Sequence, residues 1–319
     1  MTIFISNTLK VYLTLLIIIF INTNSLAEGN KMNQSNYIHG AYQAQEQKRL
    51  ELQASLIKEF IWQDLRKILN NFSLAQQYPF LEIGCGVAAQ TIDLFEALPD
   101  KSHITGIDID PVQISMAETK MQSYAKYKGR VTFRVMDATV LDLPDNAFSG
   151  AYISWVLEHM SRDKALKLLK NLKAAITNNG IIVINETHMD PEKSLKIGIK
   201  GNRDIYPPYT KRFIQTMIKA QAELEGNANF GDEQNMRTFL AEASLSDIDF
   251  KKKIVHFERN NPAFEIFAHH AVKLFEGVLP VLIKNGTFTD KDFQYVKEEI
   301  MNADFIHWEF GQAVIYVNK

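Results

Sequence analysis

The chain has 319 residues, of which 46% are hydrophobic, enough to bury one large core or one core with a lid. Its formal net charge of −2 argues against a broad nucleic-acid-binding face, which normally shows as an excess of basic residues. A single cysteine, Cys85, excludes an intrachain disulfide. No group of Cys and His residues has the spacing of a zinc site, so we expect no bound metal.

Residues 1–31 are expected to form a leader. Lys10 precedes an apolar run at 11–21, and Ala27 ends a small-residue sequence typical of a signal-peptide cleavage site. The run is shorter than the roughly 20 apolar residues that span a bilayer, so we expect no stable membrane span. Alternatively, translation starts at Met32 and the leader is a mis-extended start. We expect a cytoplasmic protein, with export after cleavage at Ala27 as the alternative.

Residues 32–72 are expected to form a helical N-terminal cap. Apolar residues at helical spacing predict a long amphipathic helix over 46–69. Arg49 and Gln53 lie one helical turn apart and therefore share a face of this helix. With residues 37–42 ahead of it, the segment is placed to lie across the open end of a following sheet.

Residues 80–86 (FLEIGCG) predict a short strand that ends in an acid and runs into a tight glycine turn. Apolar spacing then predicts a helix over 87–98. A strand, a glycine turn and a helix bring backbone N–H groups against a nucleotide in α/β proteins. Gly84 and Gly86 matter because a Cβ would block the ligand or forbid the backbone angles of the turn.

Three further strands follow with helices between them. The second, 104–110, carries Asp108 at its end, about 20 residues after the turn, where an acid can reach ribose hydroxyls. The third, 131–138, closes on Asp137, and the fourth covers 150–155. Strand and helix alternating at this spacing predict a doubly wound parallel sheet.

These residues resemble the class I S-adenosylmethionine-dependent methyltransferases, particularly the small-molecule branch related to quinone-biosynthesis enzymes. The resemblance covers residues 78–186 well and the flanks loosely. The run at 137–148 fits the family pattern D-A-x-x-L-P-x-x-x-F closely. The resemblance implies a Rossmann-like sheet of seven strands with the last one antiparallel, and S-adenosylmethionine as the cofactor.

The same resemblance implies roles for individual residues. Glu82 and the glycine turn would cradle the methionine end of the cofactor, Asp108 would take the ribose hydroxyls, and Asp137 would accept from the adenine amino group. Ile109 would lie against the adenine, and Arg49 would reach the cofactor carboxylate from the cap. The full expected set is Glu82, Gly84, Cys85, Gly86, Thr91, Asp108, Ile109, Asp137, Ala138 and Ser154, with Tyr37 and Arg49 from the cap.

Two positions depart from the family pattern. Ala88 stands where glycine is common, and Ser149 stands where an aspartate usually follows the phenylalanine. Neither change removes a cofactor contact. A dinucleotide-binding oxidoreductase would share the strand, the turn and the later acid, and some accept an alanine such as Ala89 as the third glycine. It needs neither the acid before the turn nor the pair at 137–138, so the methyltransferase interpretation is favoured.

The cofactor-binding core is expected to cover residues 73–190, with its fifth strand at 180–187. Residues 191–245 predict a lid insertion, and 246–319 supply a sixth strand, two covering helices and an antiparallel closing strand at 311–317. The aromatic residues of this half suit an apolar or aromatic small substrate. They are Tyr206, Tyr209, Phe213, Phe264, Phe267 and Trp308.

Methyl transfer from a sulfonium is an in-line displacement, so alignment is the main work of the protein. A base is needed only where the acceptor loses a proton. His159 and His188 are the candidate bases, because histidine titrates near neutral pH. Glu186, at the end of the fifth strand, is a further candidate.

The sequence therefore predicts an S-adenosylmethionine-dependent methyltransferase that methylates a small molecule at oxygen, nitrogen or carbon. Two alternatives remain. One is a cofactor-binding regulatory or interaction protein without turnover, and the other is a methyltransferase acting on protein or RNA. The Asn-Pro-Pro-Tyr motif of amino-group nucleic-acid and protein methyltransferases does not follow the fourth strand, where residues 154–157 read SWVL. No nucleic-acid partner is expected, and the sequence does not specify an oligomeric state.

Overall fold

The computed structural model describes residues 43–140, 143–190, 194–198, 207–223, 226 and 229–319. The predicted leader and Tyr37 lie outside these residues. Every described residue belongs to the unit Asn36–Lys319.

Strands and helices alternate through the first half of the chain, as the sequence pattern predicts. The described strands are β1 (Phe80–Ile83), β2 (Ile104–Asp108), β3 (Val131–Val135), β4 (Phe148–Ser154), β5 (Ile176–Thr187), β6 (Leu195–Gly198), β7 (Ile248–Glu258) and β8 (Phe305–Val317). The described α-helices are α1 (Gln43–Leu69), α2 (Thr91–Ala97), α3 (Pro111–Gln122), α4 (Arg162–Ala175), α5 (Pro208–Glu223), α6 (Glu233–Glu242), α7 (Pro262–Lys284) and α8 (Asp290–Asn302).

The strands form one sheet. Strands β3, β2, β1, β4 and β5 lie side by side in that order and are parallel, and β8 pairs antiparallel with β5. Strand β7 pairs antiparallel along β8. The predicted Rossmann-like doubly wound sheet with an antiparallel last strand is confirmed.

Strand β6 is an addition that the sequence pattern did not predict. It pairs with the first part of β8, where Leu195 lies opposite Trp308, whereas β5 pairs with the later part, where Thr187 lies opposite Phe310. Because β7 pairs along the other edge of β8, β5 and β6 pair with successive parts of the same edge of β8.

Apolar side chains on the two faces of the sheet form two cores, because successive residues of a strand point to opposite sides. On one face Val183 and Phe310 pack with α1, α2, α3, α5, α7 and α8. On the other face Ile184 and Ala313 pack with α4 and α6. The helices thus cover both faces and leave the carboxyl ends of the parallel strands as the edge where ligands bind in such sheets.

Helices α5, α7 and α8 form a helical layer around Phe213. The ring of Phe213 lies 4.8 Å from that of Phe275 and 5.4 Å from that of Phe293. Glu299 of α8 accepts hydrogen bonds from the backbone N–H groups of Tyr209 and Thr210, at 3.1 and 2.7 Å. These N–H groups at the start of α5 have no partner within their own helix, so the carboxylate joins α5 to α8.

Residues 191–245, predicted as one lid insertion, contribute to both faces of the sheet. Helix α5 joins α7 and α8, but α6 packs through Met236 and Leu240 into the core that contains α4. The sequence pattern does not indicate this division, because both helices have an apolar face of similar spacing.

Among the described residues one helix, α7, is long and apolar enough to cross a membrane when judged by length and composition alone. Its residues Phe264, Phe275 and Leu282 are buried in the core of the protein. This packing is that of a core helix in a globular fold.

Candidate active site

The turn after β1 has the backbone geometry that its glycines require. Gly84 and Gly86 have φ angles of +66° and +52°, values that L-residues with a Cβ adopt at a cost. A Cβ on Gly84 would overlap the side chain of Val156, so the turn packs directly against the segment that follows β4. Ala88, where the family often has glycine, also lies in the left-handed region with φ +57°. Helix α2 therefore begins only at Thr91, later than its apolar spacing predicts.

Glu82 is buried at the end of β1 beside this turn. It accepts a hydrogen bond of 2.7 Å from the Thr91 hydroxyl. Burial raises its pKa to about 7 from the ordinary 4.5, and the Thr91 hydrogen bond opposes that rise. A buried carboxyl in this state favours a cationic partner, because an ammonium group would stabilise its ionised form. Glu82 thus fits the amino group of a bound amino-acid moiety.

Asp108 ties the end of β2 to the glycine turn. Its Oδ2 accepts from the backbone N–H of Gly86 and its Oδ1 from that of Asp110, both at 2.9 Å. Burial raises the pKa of this carboxyl, and these two hydrogen bonds lower it. The side chain is held at the carboxyl edge of the sheet, where each oxygen retains a lone pair for a ligand hydroxyl.

Two large apolar side chains are exposed next to Asp108 and Asp137. Ile109 follows β2 and is 63% exposed, and Val140 follows β3 in the 3-10 turn Ala138–Val140 and is 64% exposed. Exposed apolar side chains of this size suit contact with a flat base. The Oδ1 atom of Asp137 accepts from the N–H and the hydroxyl of Thr139, at 2.8 and 2.7 Å, which fixes its side chain. The residues at this edge fit S-adenosylmethionine.

Cys85 and Ser154 complete the predicted cofactor set. Cys85 is buried, burial raises the pKa of its thiol, and its N–H donates to the Ile107 carbonyl at 3.0 Å. The thiol therefore stays neutral and acts as a small packing group. Ser154 ends β4 beside the Tyr152 hydroxyl.

A buried polar network runs under the site across three strands. The Tyr152 hydroxyl bonds Gln90 and accepts from the Asn185 side-chain amide at 3.0 Å. The Gln312 amide donates to Asn185 Oδ1 at 2.8 Å. These side chains satisfy one another in the core and hold β4, β5 and β8 in register. Sequence analysis missed this network, because its members are isolated polar residues in apolar strands.

The turn after β4 is held by Glu186. Its carboxylate accepts from the backbone N–H groups of Val156, Leu157 and Glu158 at 3.0, 2.8 and 3.3 Å. Trp155 enters this turn with a φ of +55°, which is uncommon for a bulky residue. Glu186, a predicted candidate for chemistry, is thus engaged by three backbone donors and fixes the conformation of the turn.

Glu158 and His159 lie in this turn, and the charge of Arg49 of the cap helix acts on both. The Glu158 Oε1 atom lies 3.5 Å from His159 Nε2. Burial raises the pKa of Glu158 to about 7, against a hydrogen bond from Thr187 and the charge of Arg49. Burial, and then Arg49, lower the pKa of His159 to about 4. His159 is therefore neutral at neutral pH but a weak base.

Aromatic side chains adjoin this turn. The Trp155 ring lies 5.9 Å from both the Trp308 and the Phe310 rings. Phe267 of α7 lies 6.5 Å from Trp308 and 5.9 Å from His270. The charge of Arg49 influences the pKa values of both His270 and Glu158. Thr187 hydrogen-bonds Glu158 and lies opposite Phe310 in the pairing of β5 with β8. We call this set of residues the polar–aromatic ring; it consists of Arg49, Glu158, Thr187, His270, Phe267, Trp308 and Phe310.

His188 follows Thr187 at the end of β5. It borders a cavity of about 500 Å³ that is also lined by α6, by Phe250 and Lys252 of β7, and by Phe310 of the polar–aromatic ring. The catalytic roles of His188 and His159 stay predictions.

The part of the chain that the structure describes contains no group of three or more His, Cys, Asp or Glu side chains arranged to hold a metal ion.

The sheet order and the glycine-turn site resemble those of class I S-adenosylmethionine-dependent methyltransferases. Residues 80–180 match the family described as a methyltransferase domain. Among sequence relatives, demethylmenaquinone methyltransferase from Bacillus pumilus is 26% identical over 196 residues, covering 59% of this chain and 79% of that protein. The Staphylococcus epidermidis enzyme of the same name is 24% identical over 214 residues, covering 66% and 86%.

A solved structure supports the fold assignment independently. The YcgJ protein from Bacillus subtilis superimposes with a TM-score of 0.51 at 12% identity, over 81% of this chain and 99% of that chain. At this identity the likeness concerns the fold alone.

Proposed function

We propose that this protein transfers the methyl group of S-adenosylmethionine to a small apolar or aromatic acceptor. The observation that carries the proposal is the adjacency of two sites at one edge of the sheet. The glycine turn held by Asp108 lies at the ends of β1 and β2, and the polar–aromatic ring surrounds the ends of β4 and β5. Val156, which packs against Gly84, joins the two sites.

The residues of the two sites would have different roles in the reaction. S-adenosylmethionine, when bound, supplies a methyl group on a positively charged sulfur. Glu82 would hold its amino group, Asp108 its ribose hydroxyls, and Ile109 its base. The rings of Trp155, Trp308 and Phe310 would exclude water and orient a flat acceptor. The names of the curated relatives support a quinone-type acceptor.

Calorimetric titration of S-adenosylhomocysteine into the full chain tests the cofactor assignment. Asp108→Ala should weaken binding about 10-fold or more, because hydrogen bonds to a charged group contribute roughly 1.5–3 kcal/mol. Asp100→Ala, which removes an exposed aspartate from the same half of the chain, is the matched control and should bind like the wild type. Equal affinity of all three proteins, or no binding by folded wild type, would contradict the proposal.

Turnover separates an enzyme from a binding module. Wild-type protein that binds S-adenosylhomocysteine should also transfer radiolabelled methyl groups from S-adenosylmethionine to members of a panel of quinols and phenols. Binding without transfer to any of them would favour a regulatory protein over the enzyme proposed here.

We further propose that the enzyme acts in the cytoplasm. The support is chemical, because S-adenosylmethionine is made and kept there. Fractionation of cells that express the full chain with a C-terminal tag should place it in the cytoplasm with its N-terminal residues intact. A product that begins after Ala27 and lies outside the cytoplasm would support export instead.

A further inference from the structure

The turn after β4 holds two buried carboxyl groups whose surroundings differ. Glu186 receives three backbone N–H donors, which stabilise its ionised form. The hydrogen bond that lowers the pKa of Glu158 comes from the Thr187 side chain; the Glu158 N–H donates to Glu186, and its carbonyl accepts from the Gln221 amide at 3.0 Å. Burial and the charge of Glu158 nevertheless raise the pKa of Glu186 well above its ordinary value, so of the two carboxyl groups Glu158 is the one that ionises near neutral pH.

One oxygen of Glu158 is left for a ligand. The residue is only 8% exposed, and its buried Oε2 has no hydrogen-bond partner among the described residues. Buried polar atoms are normally paired, so an orphaned carboxyl oxygen points to a missing donor. The buried ring nitrogens His270 Nδ1 and Trp308 Nε1 likewise have no partner in the described part of the chain. All three atoms belong to residues of the polar–aromatic ring.

Charged and titratable groups from several elements act near Glu158. Glu186 lies on β5 and His159 in the same turn, and the charge of Arg49 on α1 acts on both Glu158 and His270 of α7. Burial lowers the pKa of His270 to about 3 and that of His159 to about 4, so both rings are neutral and weakly basic. Burial raises the pKa of Glu158 to about 7. A proton acceptor works best when its pKa is near the working pH, which favours Glu158.

We propose that Glu158 is a catalytic residue that accepts the proton of a hydroxyl group on an aromatic methyl acceptor held in the polar–aromatic ring. The inference rests on the function proposed above. The acceptor oxygen forms the new bond to the methyl carbon, and the methyl–sulfur bond breaks with its electron pair going to sulfur. The hydroxyl proton passes to Glu158 Oε2 and afterwards to solvent, so the products are the methyl ether, S-adenosylhomocysteine and one proton.

The test compares phenol with anisole, its methyl ether, as ligands of the complex with S-adenosylhomocysteine. Phenol donates a hydrogen bond and anisole does not, although both carry the same ring. Phenol affinity should rise through a pH of about 7 as Glu158 ionises, reaching about 10-fold above that at low pH, while anisole affinity stays flat. Phenol itself ionises near pH 10, like tyrosine, and so remains neutral in this range.

Glu158→Gln keeps the shape of the side chain and removes its charge. The variant should bind S-adenosylhomocysteine like the wild type but lose the pH dependence of phenol binding, and with any acceptor that the wild type methylates, kcat should fall about 100-fold or more. Glu118→Gln, on the exposed side of α3, is the matched control and should change neither quantity.

Three outcomes would overturn the inference. They are equal pH profiles for phenol and anisole in the wild type, a pH-dependent phenol affinity that survives Glu158→Gln, and no binding of phenol to the wild-type complex. The first and third need no variant, so they hold even if Glu158→Gln does not fold. Failure of the wild type to bind S-adenosylhomocysteine would instead reject the proposed function itself.

Discussion

The two halves of the proposed site, the cofactor side and the acceptor side, are built in different ways. On the cofactor side, Gly86 and Asp108 bond each other across only 22 positions of the chain, within one strand–helix–strand unit. On the acceptor side, the polar–aromatic ring joins Arg49 of the cap helix to Trp308 of the closing strand, through segments that meet only after the whole sheet has formed. The first half is specified locally, and the second depends on the complete fold.

This difference has consequences for how substitutions act. On the cofactor side, single residues have backbone geometry or hydrogen bonds that no neighbour can replace. Substituting one of these residues should therefore strongly weaken folding or cofactor binding. On the acceptor side, several elements share each contact, so single changes should alter ligand binding more than folding.

Gly84→Ala should produce the largest loss. Its Cβ would overlap Val156 and would also force a side chain into the left-handed region. Strain and overpacking together should lower the free energy of unfolding by about 3 kcal/mol and abolish S-adenosylhomocysteine binding. Gly129→Ala is the control, because Gly129 has a φ of +75° but open space around it. Gly129→Ala should lower the free energy of unfolding, measured in urea, by about 1 kcal/mol. It should leave S-adenosylhomocysteine affinity, measured by calorimetry, unchanged.

Glu82→Gln should separate stability from binding. The folded-state pKa of about 7 lies above the ordinary 4.5, so the contribution of Glu82 to stability is complete below pH 4.5 and is lost as the pH rises through 7. The difference between these two pKa values corresponds to a change of about 3 kcal/mol in the free energy of unfolding. The variant should therefore be more stable than the wild type above pH 7 and equal to it at low pH. It should also bind S-adenosylhomocysteine more weakly. A wild-type advantage in stability above pH 7 would contradict the assignment.

Glu299→Gln should loosen the helical layer moderately. The carboxylate accepts from two backbone N–H groups and one hydroxyl at the start of α5. Loss of its charge at this helix N-terminus should lower the free energy of unfolding by about 1 kcal/mol and increase hydrogen exchange in α5. Cofactor affinity should stay unchanged. Glu298→Gln, one residue earlier and exposed, serves as the control. Equal exchange in the two variants would show that this cap does not hold α5.

Trp308→Phe should have the smallest effect on stability. Its buried indole nitrogen has no hydrogen-bond partner among the described residues, so replacing the indole by a phenyl ring removes an unsatisfied donor while making a small cavity. We expect the two effects to offset within about 1 kcal/mol in thermal unfolding, and phenol affinity to fall several-fold. A large loss of stability would assign Trp308 to the core instead of the acceptor side.

The sequence predicted the locally specified parts of the molecule well. The strands β1 to β5, the glycine turn and the start of α3 at Pro111 follow from apolar patterns and turn residues that act within a few positions. Asp110 caps α3 through the Val112 N–H at 2.8 Å, as expected for an acid before a proline at the first helical position.

The parts that sequence analysis missed depend on distant neighbours. Strand β6 is a strand only because β8 offers it a partner, and α6 covers the opposite face from α5 although both have similar patterns. Glu158 gave no signal beyond its position before His159, because its pKa is raised by burial in the assembled fold. Such contacts form only in the assembled sheet, so the amino-acid sequence alone does not reveal them.

A crystal structure of the full chain with S-adenosylhomocysteine tests the central claim most directly. The account predicts ribose hydroxyls on Asp108, the amino group near Glu82, and the sulfur directed toward the polar–aromatic ring. A ligand in the cavity beside His188 and α6, with the glycine turn unengaged, would contradict the division of the site described here.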